Sequence, residues 1–205
     1  MFTKQDYARL ILDIKSVAPL TQSPVVVFGG SYGGSLAAYM RMTYPEIVDI
    51  ALAASAPILL YEGVTSSNAF FDVVRRDFAA INPACVDVLQ AALLVVAQCN
   101  ESFVQSTMQL CAATSATTVQ LWARNALVSL AQLDYPTPSS GMPAWPLTVA
   151  CNALLAEAST ARADARQLLR ALAVAVGVNY NTTQLMCFDV ASEFAPCSDA
   201  FGCGG

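Results

Sequence analysis

The chain reads as an α/β fold in two parts, a short strand-helix-strand section over residues 1–60 and an all-helical section over 61–205. Three observations lead there. Val25 to Phe28 is apolar and β-branched with no alternation, the pattern of a parallel strand buried on both faces. A helical stretch, Gly34 to Tyr44, follows at once, and a second apolar run, Ile50 to Ala54, comes at the spacing of a βαβ unit. Beyond about Tyr61 the sequence turns to alanine- and leucine-rich helical segments with no convincing strand among them.

In chain order, Phe2 to Lys15 carries Tyr7, Leu10, Ile11 and Ile14 at helical spacing, with Thr3 as the N-cap. This helix is expected to pack on the sheet. Ser16 to Ser23, which holds Pro19, is the loop into the first strand. Between that strand and the next helix stands Gly29-Gly30-Ser31-Tyr32-Gly33, a match to G-x-S-x-G. In α/β hydrolases this sequence forms a strained turn that exposes a serine hydroxyl above the sheet. Glycines suit it because flanking Cβ atoms crowd the turn and a residue there must tolerate positive φ. Ser31 is the candidate nucleophile, and the Tyr32 backbone N–H is the expected oxyanion donor at the helix N-terminus. Arg41 suits the C-terminal end of that helix, which stops at Tyr44 because Pro45 follows.

The later helices are expected over Asn68 to Phe78, Cys85 to Ala97, Thr117 to Leu133, Val149 to Glu157 and Ala163 to Val176, divided by Pro, Ser and Asn. Phe70, Phe71 and Phe78 read first as their core, the alternative being that they line a pocket above Ser31. A helical block placed after a βαβ unit reads as a cap domain.

With 205 residues, 56% hydrophobic and 12% charged, the chain can bury a core. A net charge of -5 argues against nucleic-acid binding. No apolar run reaches the roughly 18 to 20 residues that span a bilayer, so no membrane partner is expected. Seven cysteines and two sequons, at Asn100 and Asn181, point to an oxidising, glycosylating secretory route. No spacing suits a metal, and no cofactor is implied. The chain has no histidine. A serine hydroxyl is a poor nucleophile until a base takes its proton, so a Ser-His-Asp triad cannot be completed within these residues.

From Gly29 to Pro57 the sequence resembles the serine exopeptidase family that contains lysosomal Pro-X carboxypeptidase, dipeptidyl peptidase II and thymus-specific serine protease. The resemblance continues through Ser67-Asn68-Ala69-Phe70-Phe71, Ala123-Arg124-Asn125-Ala126, Leu133-Asp134-Tyr135-Pro136 and Pro143-Ala144-Trp145-Pro146. The spacing is closest to dipeptidyl peptidase II. The resemblance implies part of an α/β-hydrolase fold followed by a truncated helical cap, a peptide substrate and a lysosomal, vesicular or extracellular location; a homodimer of the parent protein is a further option. It implies bridges Cys85–Cys151 and Cys111–Cys187, with Cys197 and Cys203 closing a small loop and Cys99 left over. Family members often carry methionine four residues after the nucleophile, in the pocket for proline. Here that residue is Ser35, which implies a wider substrate-binding pocket.

The expectation is an internal fragment, less than half of a full-length member, whose missing sequence holds the histidine and aspartate. As it stands the chain should be inactive. The parent should release N-terminal X-Pro or X-Ala dipeptides through an acyl-enzyme on Ser31, with Asp72, Asp77 and Asp134 as candidates for the substrate ammonium. The alternatives are a Pro-X carboxypeptidase, a pseudoenzyme or peptide-binding fragment, and an esterase on the same elbow.

Overall fold

The computed structural model describes residues 4–17, 19–139, 141–180 and 186–194. Thr3, Asn181, Cys197 and Cys203 lie outside them. The chain forms two compact units, Met1–Ser67 and Asn68–Gly205. The division falls somewhat later than the end of the βαβ section because the loop after the second strand folds back on its own unit: Tyr61 shares a hydrogen bond with Tyr39 at 2.8 Å.

The first unit contains α1 (Lys4–Lys15), β1 (Val26–Gly30), α2 (Tyr32–Thr43) and β2 (Ile50–Ala54). β1 and β2 pair in parallel, Val26 opposite Ile50 through Gly30 opposite Ala54. Asp49 pins the entry to both strands: its carboxylate accepts the Val25 N–H at 2.7 Å, while the Asp49 and Ile50 amides donate to the Val25 carbonyl. The core is small, built from Ala8, Met40, Ile47 and Val48 with Ile11, Val25, Val27 and Tyr44 against it.

Two expectations fail in this unit. β1 is not buried on both faces, for Phe28 is 78% exposed and Leu52 beside it on β2 is 61% exposed. A parallel pair needs helices on each face, and α2 covers one. The helix α1 forms where the spacing places it, and Ile11 packs on the core as expected, but Tyr7, Leu10 and Ile14 stay about half exposed while Ala8 takes their place.

Among the described residues the second unit has helices and isolated bridges and no strand: α3 (Ala69–Ile81), α4 (Pro83–Gln98), α5 (Glu101–Met108), α6 (Ala116–Gln132), α7 (Pro146–Glu157) and α8 (Ala165–Tyr180). Local chemistry starts most of them. Asn82 Oδ1 accepts the Ala84 N–H with Pro83 in the first turn, Asn100 Oδ1 accepts the Phe103 N–H, and Ser115 Oγ accepts the Thr118 N–H, each satisfying an amide that the helix leaves unpaired. α5 is the helix that the sequence spacing misses. α7 begins a turn earlier than expected, since Pro146 opens it after Trp145 at φ 51°.

One core runs through the unit. Trp122, 2% exposed, stacks on Tyr180 with ring centres 4.8 Å apart and meets Phe188 at 5.3 Å. Leu130, Leu154, Leu169, Leu172 and Val176 pack in the same cluster. Cys85 is bridged to Cys151 and Cys111 to Cys187, the pairs that the resemblance implies.

Candidate active site

Ser31 occupies the junction of β1 and α2 with φ 54° and ψ −128°, a region that an L-residue enters only at a cost of order 1–3 kcal/mol. The junction is held from both sides. The Ser31 N–H donates to the Ala54 carbonyl at 3.0 Å, extending the strand ladder, and the Ser31 carbonyl accepts the Gly34 and Ser35 amides at 3.0 and 3.2 Å as the first turn of α2. The side chain is exposed and its hydroxyl has no partner among the described residues.

The glycines serve packing more than dihedral freedom. A Cβ on Gly29 would run into the Gly33 carbonyl, and one on Gly34 would stand 2.9 Å from the Ala54 carbonyl oxygen, whereas Gly30 and Gly33 have open space. The positive φ expected of the turn belongs to the serine itself.

The Tyr32 and Gly33 amides open α2 with no protein acceptor among the described residues. Free N–H groups beside an exposed hydroxyl, at the positive end of a helix dipole, favour negative charge developing on an atom bound to that hydroxyl. Ser35, one turn on, is fully buried, and its hydroxyl has no partner among the described residues. Arg41 near the helix end donates to the Pro45 carbonyl at 3.4 Å rather than to a carboxylate.

Sequence reasoning missed a tyrosine pair on this unit. The Tyr39 and Tyr61 hydroxyls are 2.8 Å apart, and Lys4 Nζ lies 5.6 Å from the centre of the Tyr39 ring. The hydrogen bond to Tyr61 holds the Tyr39 phenol above its ordinary range, with desolvation and the neighbouring Tyr61 and Tyr32 adding to it. No local spacing signals it, since Tyr39 lies on α2 and Tyr61 in the loop 22 residues on.

On the helical unit, Asp134 Oδ1 accepts the Leu147 N–H at 3.1 Å, so it caps the start of α7. Asn100 is exposed and its Oδ1 serves the α5 cap, which leaves its amide nitrogen uncommitted. Phe71 and Phe78 line an apolar cavity of about 250 Å³ together with Arg75 and Arg124, and the Arg124 guanidinium sits 5.3 Å from the Phe71 ring centre. Among the described residues no group of His, Cys, Asp and Glu is placed to hold a metal ion, and no helix is long and apolar enough to cross a membrane.

An exposed serine in positive φ between a parallel strand and a helix N-terminus is the arrangement of the nucleophile elbow in hydrolases of the α/β class. The family model for serine carboxypeptidase S28 matches residues 4–198, and the chain belongs to that family. It is 32% identical over 206 residues to lysosomal Pro-X carboxypeptidase of Homo sapiens, covering 94% of this chain and 40% of the relative. It is 30% identical over 195 residues to prolyl carboxy peptidase like protein 5 of Caenorhabditis elegans, covering 88% and 38%. A shorter match, 41% identical over 56 residues, links it to thymus-specific serine protease of Homo sapiens, with 27% and 10% covered. The chain thus spans about 40% of the length of the Pro-X carboxypeptidases that it matches most fully.

Proposed function

We propose that this chain is the nucleophile-bearing part of a serine exopeptidase acting on peptides in the secretory or lysosomal route, with the helical unit as its cap. The observation that carries the reading is Ser31 at the strand-helix junction, exposed, in positive φ, beside the free Tyr32 and Gly33 amides. In this mechanism Ser31 Oγ attacks the peptide carbonyl as a base takes its proton. The two amides hold the oxyanion, the amine leaves with the proton, and water hydrolyses the acyl-enzyme. The base is not an imidazole of these 205 residues, which contain none; the reading assigns it to sequence of the parent protein beyond them.

Within that class we favour removal of a C-terminal residue. Relatives that cover most of the chain are named lysosomal Pro-X carboxypeptidase. Asp134, a candidate for the ammonium, is taken by its cap. Release of N-terminal X-Pro or X-Ala dipeptides is the second reading, resting on the Cys197 to Cys203 segment. Ser35, placed at the proline pocket by the resemblance, is fully buried here, so it is assigned no direct contact with substrate, and Asn100 is proposed as a glycan acceptor.

A fluorophosphonate probe tests the nucleophile. The 205-residue chain should neither label nor cleave X-Pro and X-Ala reporters, whereas a parent chain that supplies a histidine should label at Ser31. Labelling that persists after Ser31→Ala overturns the assignment. Offering the parent one peptide with a blocked N-terminus and one with a blocked C-terminus decides the mode, the first being cut only by a carboxypeptidase.

A further inference from the structure

Four residues other than glycine take positive φ among the described residues: Ser31, Ser55, Gln109 and Trp145. Gln109 closes α5 and Trp145 opens α7, so both mark helix boundaries, and Ser31 is the elbow. Ser55, at φ 48°, borders no helix. It follows the last residue of β2, where a glycine would turn the chain at less cost. An exposed serine held there instead is strain of the sort that collects at functional sites.

The register of the sheet sets Ser55 beside Ser31. Gly30 and Ala54, the last residues of β1 and β2, are partners, and the Ser31 N–H donating to the Ala54 carbonyl carries the ladder one step further. The two serines thus stand at the carboxyl ends of neighbouring parallel strands, with backbones about 4.8 Å apart. That is the edge at which α/β sheets take their ligands. Both serines are exposed, and neither hydroxyl has a hydrogen-bond partner among the described residues.

Ser55 is fixed in place before any ligand arrives. Its neighbours on both sides lie against the first turn of α2: a Cβ on Gly34 would stand 2.9 Å from the Ala54 carbonyl oxygen and 3.0 Å from the Ala56 Cβ. Further along, the loop is tied back to α2 by the Tyr39–Tyr61 hydrogen bond and closed on itself by the Thr65 hydroxyl donating to the Leu59 carbonyl. Strain over-determined in this way persists, and a preset hydroxyl needs little ordering on binding.

We propose that Ser55 is a second substrate-contacting residue, its hydroxyl donating a hydrogen bond to the peptide carbonyl just before the residue whose own carbonyl Ser31 attacks. This role deepens the peptidase reading and rests on it. Successive carbonyls of an extended peptide lie about 3.3–3.6 Å apart along the chain, a span that hydroxyls on two adjacent strand ends can bracket. When proline is the acyl residue its nitrogen carries no hydrogen, so the preceding peptide group can only accept, and a serine O–H is the matching donor. The contact is the same in the bound substrate and in the transition state, so it serves affinity rather than the chemical step.

Kinetics of the parent chain test it, with fluorophosphonate labelling of Ser31 as a separate control on the nucleophile. Two substrates are compared, one with proline on the acyl side and one identical except for a thiocarbonyl, a weaker acceptor, in place of the carbonyl before proline. Ser55→Ala should raise KM for the first about five- to tenfold, as for the loss of one hydrogen bond, with kcat changed less than about twofold. For the thiocarbonyl substrate the same substitution should change KM less than about twofold, a coupling that a merely structural role would not produce. Ser55→Gly should raise KM as Ser55→Ala does, while hydrogen exchange in β1 and β2 stays as slow or becomes slower, because glycine relieves the strain. Normal labelling with KM unchanged in both variants, an equal rise in KM for both substrates, or faster exchange in Ser55→Gly would overturn the role of Ser55 and leave the nucleophile standing. A parent chain that does not label at Ser31 would overturn both.

Discussion

In the helical unit Trp122 is 2% exposed between Tyr180 and Phe188, whereas in the βαβ unit Phe28, in the middle of its strand, is 78% exposed. Both are large aromatic residues in regular elements. The difference lies in what each architecture needs in order to close. Amphipathic helices bury their stripes against one another, and α4, α6, α7 and α8 share a single core. A parallel strand presents two apolar faces and must be covered on both. With two strands and α2, the βαβ unit covers one, and its core reduces to a few residues around Met40 and Val48.

The largest test of this contrast is a pair of truncations read by hydrogen exchange, which reports on each unit separately. Trp122→Ala should lower the opening free energy of α6 and α8 by about 3–5 kcal/mol. Phe28→Ala should change that of β1 and β2 by no more than about 0.5 kcal/mol. Equal effects would break the comparison.

A smaller test sits at the elbow. Gly34→Ala should destabilise β1, α2 and β2 by about 1–3 kcal/mol, because the new methyl meets the Ala54 carbonyl. Gly33→Ala, in open space within a helix, should be neutral or stabilise by about 0.4–1 kcal/mol. The same exchange experiment ranks the two, and a more harmful Gly33→Ala would refute the packing account of the turn.

The smallest effect is confined to alkaline pH. Tyr180 donates to the Trp122 carbonyl and to Glu193, each at 3.1 Å, and burial, then the Glu193 charge and hydrogen bond, hold its phenol well above its ordinary range. The folded state therefore keeps this proton to higher pH than the unfolded chain does. Its stabilisation is complete below about pH 10 and is lost as pH rises from there toward the raised value. Tyr180→Phe should cost about 1 kcal/mol at neutral pH and flatten the decline above about pH 10. Urea midpoints measured on both sides of that pH check it; parallel alkaline declines in the two proteins would remove Tyr180 as the cause.

The sequence was most legible where the determinants are local. Val25 to Phe28, the glycines and the run Ile50 to Ala54 mark the strand, turn and second strand because each is written in adjacent residues. That the positive φ falls on Ser31 was not legible, since it follows from the Ala54 carbonyl on one side and the first turn of α2 on the other. The exposed β1 face shows the limit of reading burial from an apolar run: β-branched residues specify an extended backbone but not what covers it. The helix α5 was hidden because its eight residues carry little periodicity, although Asn100 with Glu101 in the first turn is a start signal. The nearness of Ser55 to Ser31 comes from the register of β2 on β1, and no spacing within one segment reveals such a meeting. Seven cysteines allow many pairings, so the bridges could be named from family resemblance alone.

Those bridges interlock along the chain. Cys85 joins Cys151 and Cys111 joins Cys187, with separations of 66 and 76 residues, and Cys99, between the first two half-cystines, has no bridge among the described residues. A ribosome delivers these thiols in the order 85, 99, 111, 151, 187. During synthesis into an oxidising lumen, the earliest partners available to Cys85 are therefore Cys99 and Cys111, and both are wrong. Cys99 is also a resident thiol, able to attack a misplaced bridge nearby and hand the sulfur on. Pairing of the helical unit is therefore complete only once Cys187 has emerged, and any Cys85 bridge to Cys99 or Cys111 formed before then has to be undone by exchange.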